Sequence, residues 1–303
     1  MMPASPVGLP TILGQNGVQA MPHMPAGIRR RRLCGAALAA ALVFAPGSAG
    51  AQPPGGAAPA GRDSGIPDAL SRGTPGWVRE IVDADTLFLR DGREIRLVGL
   101  QAPKLPLGRA GFEKWPLADE AKAVLAELVE GRRVTPAYGG KREDRYARKL
   151  AHLFRDDGLW VQAEMLRRGM ARVYSFADNR TLVRELQAIE SKARRAGRGI
   201  WAKPYYRVRT RSEVRNDVGS FQLVMGRIRE AAEVDGRIYL NFGTNWRKDF
   251  TVMIPPEHTT TFTEAGMDPT ALAGRWVRVR GWIEDYNGPM IEATHPEQIE
   301  VIP

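Results

Sequence analysis

Asp83 and Asp85 stand two apart at the end of one apolar run, Arg96 sits inside another, and Asp144-Arg145-Tyr146-Ala147-Arg148 forms a third group of polar side chains. Taken alone, the two carboxylates read as turn residues at a strand end. An arginine within an apolar strand is different, because a guanidinium there needs a buried partner. Glu94 lies two positions earlier on the same strand face and is either that partner or a carboxylate able to take a proton. Arg148 reads as a surface charge in a basic stretch or as a phosphate grip, since a guanidinium fork can hold two non-bridging oxygens at once. Tyr146 reads first as structural. Lys104, followed by Leu105-Pro106-Leu107-Gly108-Arg109, has a loop lysine without a role as its rival reading. The four His are scattered without metal-ligand spacing, and Cys34 is the single cysteine.

Cys34 falls in a segment expected to be removed. Arg29 to Arg32 make a basic stretch, residues 33–46 a short apolar one, and Ala49-Gly50-Ala51 supplies small residues for a signal peptidase. As a helix the apolar stretch would reach about 21 Å, short of a bilayer core of roughly 30 Å. A cleaved secretory signal over residues 1–51 is therefore expected, with no stable membrane anchor and a periplasmic or secreted product. Met21 and Met24 offer later starts. The mature chain would hold no thiol, which excludes disulfides and cysteine catalysis. Removing residues 1–51 takes four Arg and no acid, so the formal charge falls from +10 to +6. That balance permits a nucleic-acid partner without demanding one.

Residues 52–75, rich in Pro, Gly and Ala, read as a flexible tether. Strand-like runs over 77–89 and 93–100 flank Asp91-Gly92, a good hairpin turn. Apolar spacing predicts helices over 118–128, 159–168 and 180–195, with Gly131, Gly169 and Gly197 just beyond their ends. Two more strands are expected at 133–138 and 150–154. This order gives a small α+β domain with a barrel-like sheet over residues 76–207. A polar connector follows at 208–218. Strands at 221–229, 237–242, 249–254, 276–282 and 298–302, with a weak helical stretch near 269–273, then predict a second small all-β barrel over 219–303.

Val82-Asp83-Ala84-Asp85-Thr86, Ile95-Arg96-Leu97-Val98-Gly99-Leu100-Gln101-Ala102-Pro103-Lys104 and Asp144-Arg145-Tyr146-Ala147-Arg148, in this order, resemble the staphylococcal (micrococcal) nuclease or thermonuclease family. Gly199-Ile200-Trp201 after the last helix is similar to that family as well. The resemblance covers about residues 77–203 and implies an OB-type barrel with three helices. It also implies a chemistry of four parts: a calcium ion, an attacking water, a general base and two arginines on the phosphate. Asp85 takes the place of the family's first calcium-ligand aspartate, and Asp83 that of its outer neighbour. The second ligand aspartate falls on Gln101, whose amide oxygen can coordinate but brings no charge. A threonine that contributes its backbone oxygen falls on Ala102, a change a carbonyl tolerates. The general-base glutamate falls on Lys104. An ordinary lysine carries its proton at neutral pH and needs a strong downward shift before it accepts one.

Gln101 and Lys104 together make the site more positive by +3 than two carboxylates would. Arg96 and Arg148 take the places of the two phosphate-binding arginines, which stabilise charge in the transition state, and Tyr146 that of a nucleotide-contacting tyrosine. The resemblance thus implies catalytic positions at Arg96, Arg148 and Lys104, a phosphate grip of Arg96, Arg148 and Tyr146, and a metal set of Asp85, Gln101 and Asp83 that binds calcium weakly or not at all. In the second barrel, Phe242, Trp246, Arg247, Lys248 and Tyr286 suit base stacking in a basic groove, although Glu284-Asp285 works against it and core packing is the simpler reading. Residues 276–282 alternate Val and Arg, which predicts one face inward and one wet.

The functional expectation is an exported phosphodiesterase acting on DNA or RNA with an atypical site. The alternative is an inactive nuclease-fold module that binds nucleic acid or another anionic ligand without cutting it. A structural envelope role has no specific support in the sequence. Amino-terminal sequencing of the protein accumulated by a bacterium expressing the full chain should read from Gln52; an uncleaved terminus would overturn the secretory assignment.

Overall fold

Apolar residues spaced for strands over Gly76–Asp83 (β1), Thr86–Leu89 (β2) and Glu94–Leu97 (β3) build an antiparallel meander. Asp91-Gly92 turns β2 into β3 with Gly92 at φ 92°, a left-handed value that glycine adopts without steric cost. The computed structural model describes residues 65–302 except Trp246, so the expected signal segment, its cleavage after Ala51, and Cys34 lie outside the described residues. Arg133–Tyr138 (β4) pairs antiparallel with both β1 and Lys149–Arg155 (β5), and β5 runs parallel to β3. The strand order β4-β1-β2-β3-β5 therefore closes on itself as a five-stranded barrel, which removes the open edges.

Three helices cover this barrel, as the family resemblance implies. Ala118–Val129 (α1) buries Ala121, Leu125, Leu128 and Val129, and Val161–Arg167 (α2) buries Val161, Met165 and Leu166. Val183–Arg195 (α3) buries Val183, Leu186, Glu190 and Ala193, one stripe of an amphipathic helix. The stripe contains a carboxylate, and that exception matters below. Part of the expected tether is folded: Ile66 and Leu70 are buried with Ala137 and Phe154, and Ser71–Arg72 pairs with β4. Two apolar side chains in a Gly/Pro-rich segment suffice to dock it.

The C-terminal half is built from Phe221–Arg227 (β6), Glu230–Val234 (β7), Arg237–Asn241 (β8), Thr251–Ile254 (β9), Trp276–Trp282 (β10), Pro289–Glu292 (β11) and Ile299–Ile302 (β12). One sheet orders β12-β10-β6 and the other β7-β8-β9-β11, around a shared core that includes Val224, Leu240, Val252, Val277, Val279 and Ile291. Three elements were not expected. The run Glu-Ala-Ala-Glu-Val in β7 lacks apolar alternation, and β11 opens on Pro289. The helix Pro256–Glu264 (α4) carries three successive Thr, poor helix formers; Pro256 presets its first turn, Phe262 anchors it in the core, and Gly266 ends it at φ 77°. Among the described residues no helix is long and apolar enough to cross a membrane.

The arginine face of β10 is not wet. Val277 and Val279 point into the second core as expected, while Arg280 is fully buried against the first barrel. Its guanidinium lies 3.0 Å from Glu190 of α3, donates to the Val173 carbonyl at 3.2 Å, and also pairs with Glu300. Glu190 accepts in addition from the Val173 amide at 2.7 Å and from Arg194 at 3.0 Å. Arg180 grips Glu297 at 2.8 and 3.0 Å, and Ser175 Oγ meets His295 Nε2 at 2.8 Å. The connector takes part too, with Arg209–Thr210 pairing parallel to β6 and Val214 buried. Arg280→Met leaves Glu190 with Arg194 as its one remaining guanidinium and takes a donor from the Val173 carbonyl, and under-compensated buried charge is costly. Arg280→Met should therefore destabilise the protein by about 3–5 kcal/mol in urea unfolding, and adding Glu190→Gln should recover part of the loss. A single-variant loss under about 1 kcal/mol, the scale of an exposed pair, would show the pair to be dispensable.

Candidate active site

β1 ends at Asp83, the chain turns through Ala84-Asp85, and β2 begins at Thr86 opposite Arg96 of β3. That register brings Asp85 and Arg96 together at the end of the barrel, where both are buried. The Asp85 carbonyl accepts from the Leu97 amide at 2.9 Å and from Arg96 at 3.1 Å, and its carboxylate lies 2.6 Å from the Arg96 guanidinium. A second Arg96 nitrogen donates to the Leu100 carbonyl at 3.2 Å. The buried partner that Arg96 requires is therefore Asp85, not Glu94.

Lys104 completes the cluster. Its Nζ sits 2.6 Å from both carboxylate oxygens of Asp85 and 3.3 Å from Asp83. The Ala102 amide donates to Asp85 Oδ2 at 3.0 Å, and the Asp85 amide to Asp83 Oδ1 at 3.1 Å. The loop holding Lys104 is closed by the Trp115 amide, which donates to the Lys104 carbonyl at 3.0 Å. Two carboxylates thus face two cations in a formally neutral cluster. Burial alone would raise Asp85, but Arg96 and then Lys104 outweigh it and hold the carboxyl well below the usual range. Asp83 goes the other way: burial, and then the neighbouring Asp85 charge, raise it despite Lys104.

Gln101 points its Oε1 elsewhere, accepting from Arg172 Nε at 2.9 Å. The two residues lie opposite each other where Leu100–Gln101 pairs with Arg172–Val173. Arg172 is buried, with its guanidinium over the rings of Trp115, Tyr206 and Phe221 at 5.9, 5.7 and 4.8 Å. Burial pulls it down to about 10. Sequence reasoning missed Arg172; the signal was a guanidinium between Ala171 and Val173, the same buried-arginine pattern that marks Arg96.

Arg148 is held by Asp144, with Nε and a terminal nitrogen each 2.7 Å from Oδ2, and stacks 5.5 Å from the ring of Tyr146. Tyr146 is 47% exposed. Glu94 lies within electrostatic range of Arg148, Asp144 and Asp83: burial raises its carboxyl, Arg148 opposes this, and the two aspartates add to it. The seven site residues thus fall into two groups, the Asp83–Asp85–Arg96–Lys104 cluster and the Arg148–Tyr146 pair, with Gln101 attached to Arg172. Of the second-barrel candidates, Phe242 is core, 4.8 Å from Phe250, while Arg247, Lys248 and Tyr286 are exposed and Trp246 lies outside the described residues.

The calcium set implied by the resemblance does not fit these side chains. Both Asp85 oxygens are taken by Lys104, one of them also by Arg96, and the Gln101 oxygen is taken by Arg172. Calcium favours several hard and preferably anionic oxygens, and here the anionic charge is already balanced. Among the described residues no three His, Cys, Asp or Glu side chains converge as a metal-holding group.

Residues 94–203 match the family model described as Staphylococcal nuclease homologue. The match takes in Arg96, Gln101, Lys104, Tyr146 and Arg148 and starts after Asp83 and Asp85. A protein named uncharacterized endonuclease in Escherichia coli O157:H7 is 31% identical over 130 residues, 42% of this chain and 76% of that protein. The probable endonuclease lcl3 of Pyrenophora tritici-repentis is 40% identical over 124 residues, 38% of this chain and 43% of that protein. The probable staphylococcal-like nuclease CAN1 of Oryza sativa subsp. japonica is 33% identical over 108 residues, 36% of this chain and 28% of that protein.

Lys104→Met removes one cation and leaves two buried carboxylates sharing Arg96. A loss of about 3 kcal/mol or more is expected at pH 7. A depressed Asp85 contributes stability that is complete above its unfolded value and lost only as pH falls through the folded one. In the variant the orphaned carboxyl titrates higher, so the deficit should shrink as pH drops from 7 toward 4. Urea midpoints across that range check it, and a pH-independent deficit would show that Lys104 acts by packing alone.

Proposed function

The chain belongs to the staphylococcal nuclease family, and we propose that it is an exported member that holds nucleic acid without calcium-dependent cleavage. The observation that carries this reading is the Lys104 ammonium lodged between Asp85 and Asp83. A tethered cation stands against the carboxylates to which the family resemblance assigns calcium, and no entropy is lost in recruiting it from solution. The same lysine replaces the carboxylate that would activate water. Phosphate recognition is less affected. Arg148 keeps part of its guanidinium at the surface beside Tyr146, and the mature chain is net positive. Arg96 serves the cluster itself, holding Asp85 and two backbone carbonyls.

A second reading has one observation behind it. Glu94 has a raised proton affinity beside Arg148, which suits a carboxylate taking a proton from water during metal-free hydrolysis. In that case Glu94→Gln would abolish cleavage measured in the presence of a chelator.

Anisotropy of a labelled single-stranded oligonucleotide tests the main reading. Binding should be equal in chelator and in calcium, and it should weaken with salt. Arg148→Ala should weaken it further and lower the salt slope by about 0.7, the loss of one single-strand phosphate contact. No cleavage products should form under either condition. Calcium-dependent cleavage above that of an Arg96→Ala control, or binding lost on chelation, would overturn the reading.

A further inference from the structure

A second aromatic surface adjoins the loop that carries Gln101 and Lys104, and it draws on both barrels. Tyr174 follows directly on the short strand that pairs with Leu100–Gln101, and its amide donates to the Gly99 carbonyl at 3.1 Å. Its ring meets Phe176 edge-on at 4.8 Å on one side and Phe221 at 4.8 Å on another. Trp282 lies opposite Phe221 in the β6/β10 register and donates its indole N–H to the Tyr174 hydroxyl at 3.0 Å. Tyr174 is thereby buried, but Phe176 remains 51% exposed and Trp282 40% exposed.

These two rings are held, not loose. The indole has spent its one polar group internally, so what it offers to solvent is apolar ring surface. The Phe176 carbonyl accepts from the Asn179 amide at 3.0 Å, fixing the turn that presents its ring. Rigid aromatics recognise partners with little loss of side-chain freedom. The surroundings select the partner. Burial raises the Tyr174 hydroxyl above its ordinary value, and the Trp282 hydrogen bond, Arg96 and Arg172 all oppose that rise. Arg96 is balanced by Asp85, so the positive charge behind the rings is that of Arg172, which lies 4.8 Å over the Phe221 ring on which Tyr174 packs and is held by an amide oxygen instead of a carboxylate. Flat apolar faces next to positive charge suit unpaired bases on a phosphate backbone; a duplex keeps its base faces stacked inside.

We propose that Phe176 and Trp282 form a composite shelf on which the bases of a single strand stack beyond the Arg148 site, so that the C-terminal barrel lengthens the track. The shelf rests on the nucleic-acid reading above. It gives the second barrel a task away from Phe242, which is core, in line with the simpler reading of the sequence.

Oligothymidylates of about four and about twelve nucleotides, spanning the lengths single barrels cover, separate the two sites in anisotropy titrations with chelator present. Trp282→Ala and Phe176→Ala should each weaken the longer strand about 5-fold or more, the scale of one lost base stack, and leave the shorter one within about 2-fold. Trp282→Phe keeps a stacking ring but loses the hydrogen bond to Tyr174, so it should retain affinity for the longer strand; a purely structural role for Trp282 would weaken both lengths and would not be rescued by Phe. Phe176→Ala carries the test if Trp282→Ala proves unstable by thermal melting. Loss of binding at both lengths in Arg148→Ala, with no length-dependent change in either shelf variant, would overturn the shelf and leave the nucleic-acid reading standing. A wild-type protein that binds neither strand would overturn both.

Discussion

A fully buried carboxylate, Asp85, sets the terms for this end of the barrel. Its charge must be compensated where water cannot reach it, and the compensation comes from four directions. Arg96 arrives across the β2/β3 hairpin, Lys104 from the following loop, the Ala102 amide from the backbone, and Thr86 Oγ1 from the next residue at 3.3 Å. Each donor fixes a segment of chain, so the strand register, the loop over 98–104 and the charge balance are one problem with one solution. The solution is formally neutral, and that is what distinguishes it chemically. A site meant to draw in a divalent cation keeps surplus negative charge; here the surplus has been cancelled from within.

The loop has a second anchor. Gln101 is drawn toward Arg172, and Arg172 is enclosed by Trp115 and Tyr206 from the first domain and its tail and by Phe221 from the second barrel. Glu190 and Arg280 then join α3 to β10 through a buried ion pair that also satisfies both backbone groups of Val173. Val173 lies beside Arg172 on the strand that pairs with the loop. The second barrel is thus linked to the candidate site through buried, hydrogen-bonded neighbours, and residues 221–302 belong to its architecture.

The function proposed above separates two properties that a nuclease combines. Gripping a phosphate needs fixed positive charge, which guanidinium groups supply without a cofactor. Cleaving it needs a carboxylate or a metal-bound water in addition. In that proposal Arg148 supplies the first property, while Lys104 occupies Asp83 and Asp85, the carboxylates on which the second would rest. Glu94 and Asp83 are the nearby acids whose environments favour holding a proton.

The sequence alone determined a good deal. Helix periods and the Asp91-Gly92 turn are local and were legible residue by residue, and the resemblance of three ordered motifs implied the barrel; the single strand-like run over 77–89, however, is two strands broken at Ala84-Asp85. It also located Arg96 as an arginine in need of a partner, and singled out Gln101 and Lys104. It could not say who the partners were. Asp85, not Glu94, pairs with Arg96, and Gln101 turns to Arg172; both outcomes depend on which segments the barrel closure brings together. The alternating Val-Arg pattern of β10 was read correctly for the valines and wrongly for the arginines. A strand's period assigns two faces, but whether the polar face meets water or a buried glutamate on another domain is decided only by tertiary packing. The helix at Pro256–Glu264, poor in helix formers and held by Phe262 in the core, is a case of the same rule: its stability comes from contacts far away in sequence.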